Sequence, residues 1–88
     1  MKLNQMNELT GDPEKDELLL LANRIKELRL RAGHLHYEKF ALGNGIARAQ
    51  YRVYDLGGNI TYTNLRRVMR ALKVSPAEFF SAGFNCED

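Results

Sequence analysis

Arg48 and Arg52 stand four residues apart in a segment without acidic residues, a spacing that puts both side chains on one face of a helix. A guanidinium group is a planar fork of hydrogen-bond donors that matches the O6 and N7 acceptors of guanine and also the oxygens of a phosphate. Ala49 and Val53 add small apolar side chains suited to contact with a thymine methyl group. The two arginines are therefore predicted either to contact bases or only to neutralise phosphates.

The residue types of acid–base, nucleophilic and metal chemistry form no comparable group. His34 and His36 stand two residues apart with only Glu38 beside them, which is a fragment of a metal site. Cys86 has no second cysteine in the chain, so we expect an exposed free thiol. The segment Gly43-Asn44-Gly45 is not followed by the lysine of a phosphate-binding loop. We expect a protein that is not an enzyme and that has no metal, no cofactor and no small-molecule substrate.

Five helices are predicted from hydrophobic periodicity, capping residues and glycine stops. Four of them cover about residues 13–32, 37–42, 47–54 and 63–72, and a short fifth helix begins after Ser75 with a capping box. The second and third helices are joined by a tight glycine-containing turn, which makes them a helix-turn-helix unit. No run alternates polar and apolar residues for long enough to predict a strand, so the predicted fold class is all-α.

The apolar stripes of these helices define a predicted core. Its members are Leu18, Leu21, Ala22, Ile25, Leu28 and Ala32 in the first helix, Tyr51 and Tyr54 in the third, and Leu65, Val68, Met69 and Leu72 in the fourth. Gln50 is predicted at the edge of this core. Phe79, Phe80 and Phe84 are predicted either to complete the core or to meet a partner subunit.

Basic residues are concentrated in the middle of the chain. The formal net charge is only +2, but residues 24–73 hold eleven Lys and Arg against three acidic residues, whereas the flanks hold two against eight. Such a block is typical of a polyanion-binding protein. The alternative is a solvated surface that is simply rich in lysine and arginine.

The order of elements resembles the five-helix DNA-binding domain of the lambda-repressor/Cro type, which includes phage repressors and bacterial regulators of the xenobiotic-response-element (XRE) class. The resemblance covers about residues 20–81, and it is carried by Arg24-Ile25-Lys26-Glu27-Leu28-Arg29, Gly33, Phe40-Ala41, Gly45-Ile46, Tyr51, Tyr54-Asp55, Gly57, Leu65, Ala71-Leu72, Val74-Ser75 and Phe79-Phe80. It implies a lambda-repressor-like fold whose third helix enters the major groove of double-stranded DNA, and a homodimer that acts as a transcriptional repressor or other regulator.

The resemblance also implies residue roles. The base-contacting positions are Ala47, Arg48, Ala49, Arg52 and Val53. The positions that contact the DNA backbone are Tyr37, Lys39, Gly58, Asn59, Thr61, Arg66 and Arg67. The connection after Gly33 is one residue longer than is usual in the family, so a buried Tyr37 is the competing prediction. Arg29 and Asp55 match an internal ion pair that fixes the third helix against the first and does not touch DNA.

The predicted domain covers residues 12–82, between a flexible arm of residues 1–11 and a flexible tail of residues 83–88. No apolar run has transmembrane length and the first residues lack the pattern of a secretion signal, so a cytoplasmic location without membrane contact is expected. The alternative function is an antitoxin or another protein-interaction module on the same fold. A helical bundle with a purely structural role would leave the basic block unexplained.

Overall fold

The computed structural model describes residues 7–84, and this part of the chain contains five helices and no strand. The helices are α1 Pro13–Arg31, α2 Tyr37–Gly43, α3 Arg48–Asp55, α4 Tyr62–Leu72 and α5 Pro76–Phe79. The all-α prediction is confirmed. Within the described range, no helix is both long enough and apolar enough to cross a membrane. Residues 1–6 and 85–88, with Cys86 among them, lie outside the described residues.

Side-chain caps fix the starts of three helices, as the sequence predicts for two of them. The Asp12 carboxylate accepts a hydrogen bond from the Glu14 N–H at 3.1 Å, and the Ser75 hydroxyl oxygen accepts one from the Glu78 N–H at 3.1 Å. The Thr61 hydroxyl oxygen caps α4. The first residue before α3 is Ala47, which has no side-chain acceptor, so the first N–H groups of α3 have no side-chain cap.

The core lies where α3 packs on α1 and α2, and where α4 packs on α1 and α5. Its buried apolar members are Ile25, Leu28, Phe40, Ala41, Ile46, Tyr51, Tyr54, Leu65, Val68, Met69, Leu72 and Phe79. Ala32, predicted to be in the core, is exposed because it follows the last residue of α1 as its C-cap. Leu18, at the other end of the predicted α1 stripe, is only half-buried and is not part of the core cluster. Most of the predicted core is therefore confirmed, and the differences lie at the two ends of that stripe.

The aromatic residues at the end of the domain divide between core and surface. Phe79 is fully buried, and Phe84 is half-buried against it with ring centroids 5.9 Å apart. Phe80 packs edge-on to Phe79 at 4.9 Å but keeps 45% of its surface exposed. Phe79 and Phe84 thus belong to the core, and Phe80 is the ring that a partner could still cover.

Arg24 connects α1 to α5 through contacts that no sequence pattern predicts. Only 3% of the residue is exposed, and its guanidinium donates to the Phe79 carbonyl at 2.7 Å and to the Glu78 carbonyl at 2.8 Å. It also pairs with the Glu27 carboxylate at 2.9 Å. Because carbonyls at a helix end have no partner within the helix, a buried guanidinium that binds two of them fixes α5 in place.

Residues 7–11, which belong to the predicted flexible arm of residues 1–11, make hydrogen bonds to the rest of the domain. The Asn7 backbone N–H donates to the Asn23 side-chain oxygen at 2.8 Å, and the Asn7 side chain donates to the Asp55 carbonyl at 3.1 Å. The backbone N–H groups of Thr10 and Gly11 donate to the Asp16 carboxylate at 2.7 and 2.9 Å, and the first of these bonds is the main cause of a lowered pKa at Asp16. The composition of residues 1–11 gives no sign of these contacts, because the partners are side chains of α1 and a backbone carbonyl of α3.

We expect Arg24→Leu to lower the free energy of unfolding by about 2–4 kcal/mol, because it removes two charge-assisted bonds to the end of α5 and leaves the Phe79 carbonyl without a donor. The Glu78 carbonyl keeps its bonds from Ser81. The matched control is Arg31→Leu, since Arg31 binds the same Glu27 carboxylate at 3.1 Å but is exposed. The control should cost less than about 1 kcal/mol. Urea unfolding followed by circular dichroism measures both values, and equal losses in the two variants would contradict the assignment.

Candidate nucleic-acid interface

The exposed face of α3 carries the residues that the sequence places there. Arg48, Ala49 and Arg52 are exposed, and Val53 keeps 45% of its surface exposed. Ala47 is exposed at the cap position. The opposite side of the same helix is buried through Tyr51, Tyr54 and Asp55. One short helix thus presents two cations and small apolar groups outward, with no acidic residue among them.

Gln50 lies on the surface, whereas the periodicity predicts it at the edge of the core. Its side-chain amide donates to the Tyr54 hydroxyl at 3.0 Å, which fixes the side chain along the helix. A shallow groove of about 290 Å³ runs between α3 and the first half of α4, and it is lined by Gly45, Ile46, Ala47, Gln50, Tyr54, Asn64 and Arg67. Arg67 therefore lies beside the start of α3, although the sequence separation between them gives no sign of it.

Tyr37 is neither fully buried nor free. Its ring is half-buried and stacks on the buried Tyr51 ring at 6.0 Å with an interplanar angle of 16°. The Arg52 guanidinium carbon lies 5.5 Å from the Tyr37 ring centroid, and one guanidinium nitrogen is 3.5 Å from the Tyr37 hydroxyl. The competing prediction of a buried Tyr37 therefore holds only in part, and the contact with the DNA backbone stays a prediction.

The other predicted backbone-contacting residues divide by exposure. Lys39, Asn59, Thr61 and Arg67 are exposed. Arg66 is half-buried, and its Nε finds no hydrogen-bond partner among the residues that the structure describes. Arg67 is consequently the more accessible of the two neighbouring arginines.

Gly58 does not have the free N–H that its predicted phosphate contact requires. That N–H donates to the Val53 carbonyl at 2.8 Å, while the Gly57 N–H donates to the Tyr54 carbonyl at 3.2 Å. With Gly57 at φ 92°, these bonds close α3 in the turn known as a Schellman motif. A Cβ on Gly58 would lie 2.3 Å from a Val53 methyl carbon and 2.9 Å from the Val53 carbonyl oxygen, so this position needs glycine for close packing.

The predicted ion pair between Arg29 and Asp55 is not formed, although both residues are buried. The Asp55 carboxylate instead faces Lys26, whose Nζ lies 3.7 Å from Asp55 Oδ2. No Arg29 nitrogen is within 4.0 Å of that carboxylate, and the Arg29 guanidinium donates to the His34 carbonyl at 2.7 Å. The physical reason is the turn after α1, which brings the His34 carbonyl back over Arg29, while Lys26 lies about one helical turn earlier and reaches the end of α3.

Tyr51 completes this buried corner between α1 and α3. It is 0% exposed, and its hydroxyl makes no bond of hydrogen-bond geometry to the described residues. Burial raises the pKa of the Tyr51 phenol well above its usual value, and the Asp55 carboxylate raises it further while the Arg29 guanidinium opposes the shift. The phenol is neutral at physiological pH, and the Arg29 charge lies close enough to influence it.

The cations of the basic block, residues 24–73, divide into buried residues and surface residues. Of its eleven cations, Arg24, Lys26 and Arg29 are buried and serve the fold. The remaining eight are Arg31, Lys39, Arg48, Arg52, Arg66, Arg67, Arg70 and Lys73. All of these except Arg31 belong to α2, α3, α4 or the residue that follows α4. Surface cations are therefore concentrated on the elements around α3.

His34 and His36 lie at an exposed depression of about 260 Å³ that Lys39 also lines. The His34 ring packs on Phe40 at 5.1 Å. Among the described residues, no group of three or more histidine, cysteine, aspartate or glutamate side chains is placed to hold a metal ion. The two histidines are thus surface side chains beside the start of α2.

Comparisons with known proteins identified no relative of this chain. No protein-family model matches the chain, and no curated protein or solved structure has significant similarity to it. What the described residues define is a five-helix, all-α domain with an arginine-bearing face on α3.

Asp55→Ala should lower the free energy of unfolding by about 3 kcal/mol, because it leaves the buried Lys26 ammonium without its carboxylate partner. The control Glu17→Ala removes an exposed carboxylate of α1 and should change stability by less than about 0.5 kcal/mol. A double-mutant cycle with Lys26→Met, measured by urea unfolding, should show that the two losses are not additive. Additive losses would mean that the two side chains do not interact.

Gly58→Ala should lower the free energy of unfolding by about 1–3 kcal/mol, since the added carbon overlaps the Val53 side chain and carbonyl. Gly43→Ala is the matched variant, because a Cβ there meets nothing within 4 Å and Gly43 is the last residue of α2. It should leave stability unchanged or raise it by up to about 1 kcal/mol. Thermal unfolding of the two variants side by side tests the difference, and equal melting temperatures would be inconsistent with the close contact at Gly58.

Proposed function

We propose that this chain is a sequence-specific DNA-binding regulator of transcription, of the phage or bacterial repressor type, that inserts α3 into the major groove. The observation that carries the proposal is the exposed face of α3, where Arg48 and Arg52 stand beside Ala49 and Val53 without an acidic residue. The major groove of B-DNA admits a single α-helix, and arginine forks and methyl contacts are the means by which such a helix reads base edges. In this proposal α2 and α3 form the helix-turn-helix of a lambda-repressor-like domain.

The start of α3 supports this orientation. The N-cap position is Ala47, so the first N–H groups of the helix have no side-chain cap, and the positive end of the helix dipole lies at the same place. Phosphate oxygens are favourable partners for such an end. Arg67 lines the groove beside Ala47 and Gln50 and adds a second cation there.

Contacts to the DNA backbone are proposed on both sides of α3. On one side, Tyr37 meets Arg52, and Lys39 follows in the same exposed turn of α2. On the other side, Asn59 and Thr61 precede α4 with exposed side chains. Thr61 accepts the capping bond from Asn64 and still has its own hydroxyl proton to donate. Of the two neighbouring arginines, we assign the contact with the DNA backbone mainly to Arg67, because Arg66 is half-buried. The Gly58 N–H makes no such contact, because it donates to the Val53 carbonyl.

The proposed partner is a palindromic operator bound by a homodimer in the cytoplasm. A single short helix reads only a few base pairs, and two half-sites one helical turn apart are the usual way to gain specificity. Phe80, exposed beside the buried Phe79, is a candidate member of the dimer surface.

A protein-interaction module on the same fold, such as an antitoxin, is the second candidate. It is favoured by exposed leucines outside α3, of which Leu42 is 73% and Leu35 is 55% exposed. Isolated apolar side chains are common on protein surfaces, so they support this candidate less strongly than the arginine face supports DNA binding.

Selection of bound duplexes from a random pool, followed by fluorescence anisotropy, tests the DNA-binding proposal. Affinity for the selected duplex should fall steeply between 50 and 200 mM salt, as about 0.9 counterions are released for each phosphate neutralised. The Arg48→Ala variant should lose about 1–3 kcal/mol on the preferred site and relax base preference at one position. The Arg67→Ala variant should weaken all sequences alike and reduce the salt slope by about 1.

Arg31→Ala is the control for loss of one positive charge, because Arg31 lies on α1 and is paired with Glu27. It should change affinity less than either of the other variants. No detectable binding to any duplex at low salt would overturn the proposed function. Unchanged site preference in Arg48→Ala would overturn only the base-reading role of that residue.

A further inference from the structure

A continuous column of aromatic rings leads from the core to the exposed face of α3. Phe40, which is buried, meets Tyr51 edge-on with ring centroids 5.6 Å apart. Tyr51 stacks on Tyr37 at 6.0 Å, and the Arg52 guanidinium carbon lies over the Tyr37 ring, 5.5 Å from its centroid. The Arg52 charge is thus the surface end of a column whose inner members are fixed by the core.

The two arginines of α3 differ in how far the rest of the protein restrains their side chains. Arg48 makes no hydrogen bond or ion pair to the described residues, so the interior of the protein does not restrain its long side chain. Arg52 is held by the ring and by the 3.5 Å approach of one nitrogen to the Tyr37 hydroxyl. A side chain ordered before binding loses less conformational freedom when it binds, and this favours the affinity of the contacts it then makes.

The geometry of a cation over a ring leaves the useful part of the guanidinium available. A ring attracts the face of the guanidinium, whereas the N–H donors point outward in its plane. Arginine has five such donors, and only the N–H donors of one guanidinium nitrogen face the Tyr37 hydroxyl. An edge with two donors remains for the O6 and N7 acceptors of guanine.

We propose that Tyr37 is a positioning residue that orders the Arg52 guanidinium for recognition of one guanine, so that base discrimination depends on Arg52 and its ring more than on Arg48. This inference rests on the proposed DNA-binding function and specifies how its site selects a base. Tyr37 acts through Arg52, in addition to any contact that its own hydroxyl makes with a phosphate.

The first test uses the free protein and does not depend on DNA. Protons of the Arg52 side chain that lie over the Tyr37 ring should be shifted upfield by the ring current in an NMR spectrum. Tyr37→Phe keeps the ring and should keep the shift, whereas Tyr37→Leu should abolish it. Arg52 protons at random-coil positions in the unmodified protein would overturn the placement.

The second test compares the selected duplex with one in which the contacted guanine is replaced by 7-deazaguanine, which lacks the N7 acceptor. Loss of the cation–π contact in Tyr37→Leu should reduce the discrimination between the two duplexes about three- to fivefold. Tyr37→Phe should preserve discrimination within about twofold, because the ring is retained. Lys39→Ala, which removes a neighbouring exposed cation, should weaken both duplexes equally.

The outcomes separate the inference from the function on which it rests. If no duplex binds, the proposed function fails and the role of Tyr37 in base recognition fails with it. If the protein binds and discriminates while Tyr37→Leu discriminates equally well, only the inference is overturned. Circular dichroism establishes whether Tyr37→Leu is folded, and should it unfold, Tyr37→Met provides the same comparison, because it removes the ring and keeps the Arg52 guanidinium.

Discussion

The direction in which α3 faces depends on the buried corner where α1 meets the end of that helix. Lys26 and Asp55 are both nearly inaccessible to solvent, and the two charges approach within 3.7 Å. A buried carboxylate is tolerated only when a positive charge or a set of hydrogen bonds compensates it, so Asp55 cannot move away from Lys26 without a large cost. Since Asp55 is the last residue of α3, this requirement fixes the end of the helix against α1. Asn7 adds a hydrogen bond to the Asp55 carbonyl at the same end.

The beginning of α3 is held by contacts of a different kind. The Ile46 N–H donates to the Ala41 carbonyl at 2.9 Å across the turn after α2, and Ile46 itself is buried. Tyr51, halfway along α3, is fully buried, and its ring meets Phe40 edge-on and stacks on Tyr37. With a charge pair at one end of α3 and a backbone hydrogen bond and apolar packing at the other, the rotation of the helix about its own axis is determined. Arg48 and Arg52 are outward for that reason.

The local signals of the sequence were sufficient for the helices but not for their partners. Asp12 and Ser75 cap neighbours two or three residues away, so the sequence contains the whole interaction. Lys26 and Arg29 lie on the same helix one turn apart, and spacing cannot decide which of them reaches Asp55, because that depends on how the chain turns after α1. The bond from Arg24 to the Phe79 carbonyl joins residues 55 positions apart, and no pattern marks such a partner. For the site, the sequence predicted which residues of α3 face outward, whereas the column that ends at Arg52 required the packing of α2.

The cations buried in α1 also shape the charge that the domain presents to its surroundings. A count along the sequence treats Arg24, Lys26 and Arg29 as part of one basic block, but their charges are compensated inside the protein by carbonyls and carboxylates. The first turn of α1 is exposed and mostly acidic, and the exposed Arg31 at its other end is paired with Glu27. Among the described residues, the exposed cations without an ion pair therefore lie from α2 to Lys73, apart from Lys15, which stands beside Glu14 and Asp16 in the first turn of α1. In the proposed function, a charge distribution of this kind would orient the approaching DNA toward those elements and so favour encounter at the face of α3.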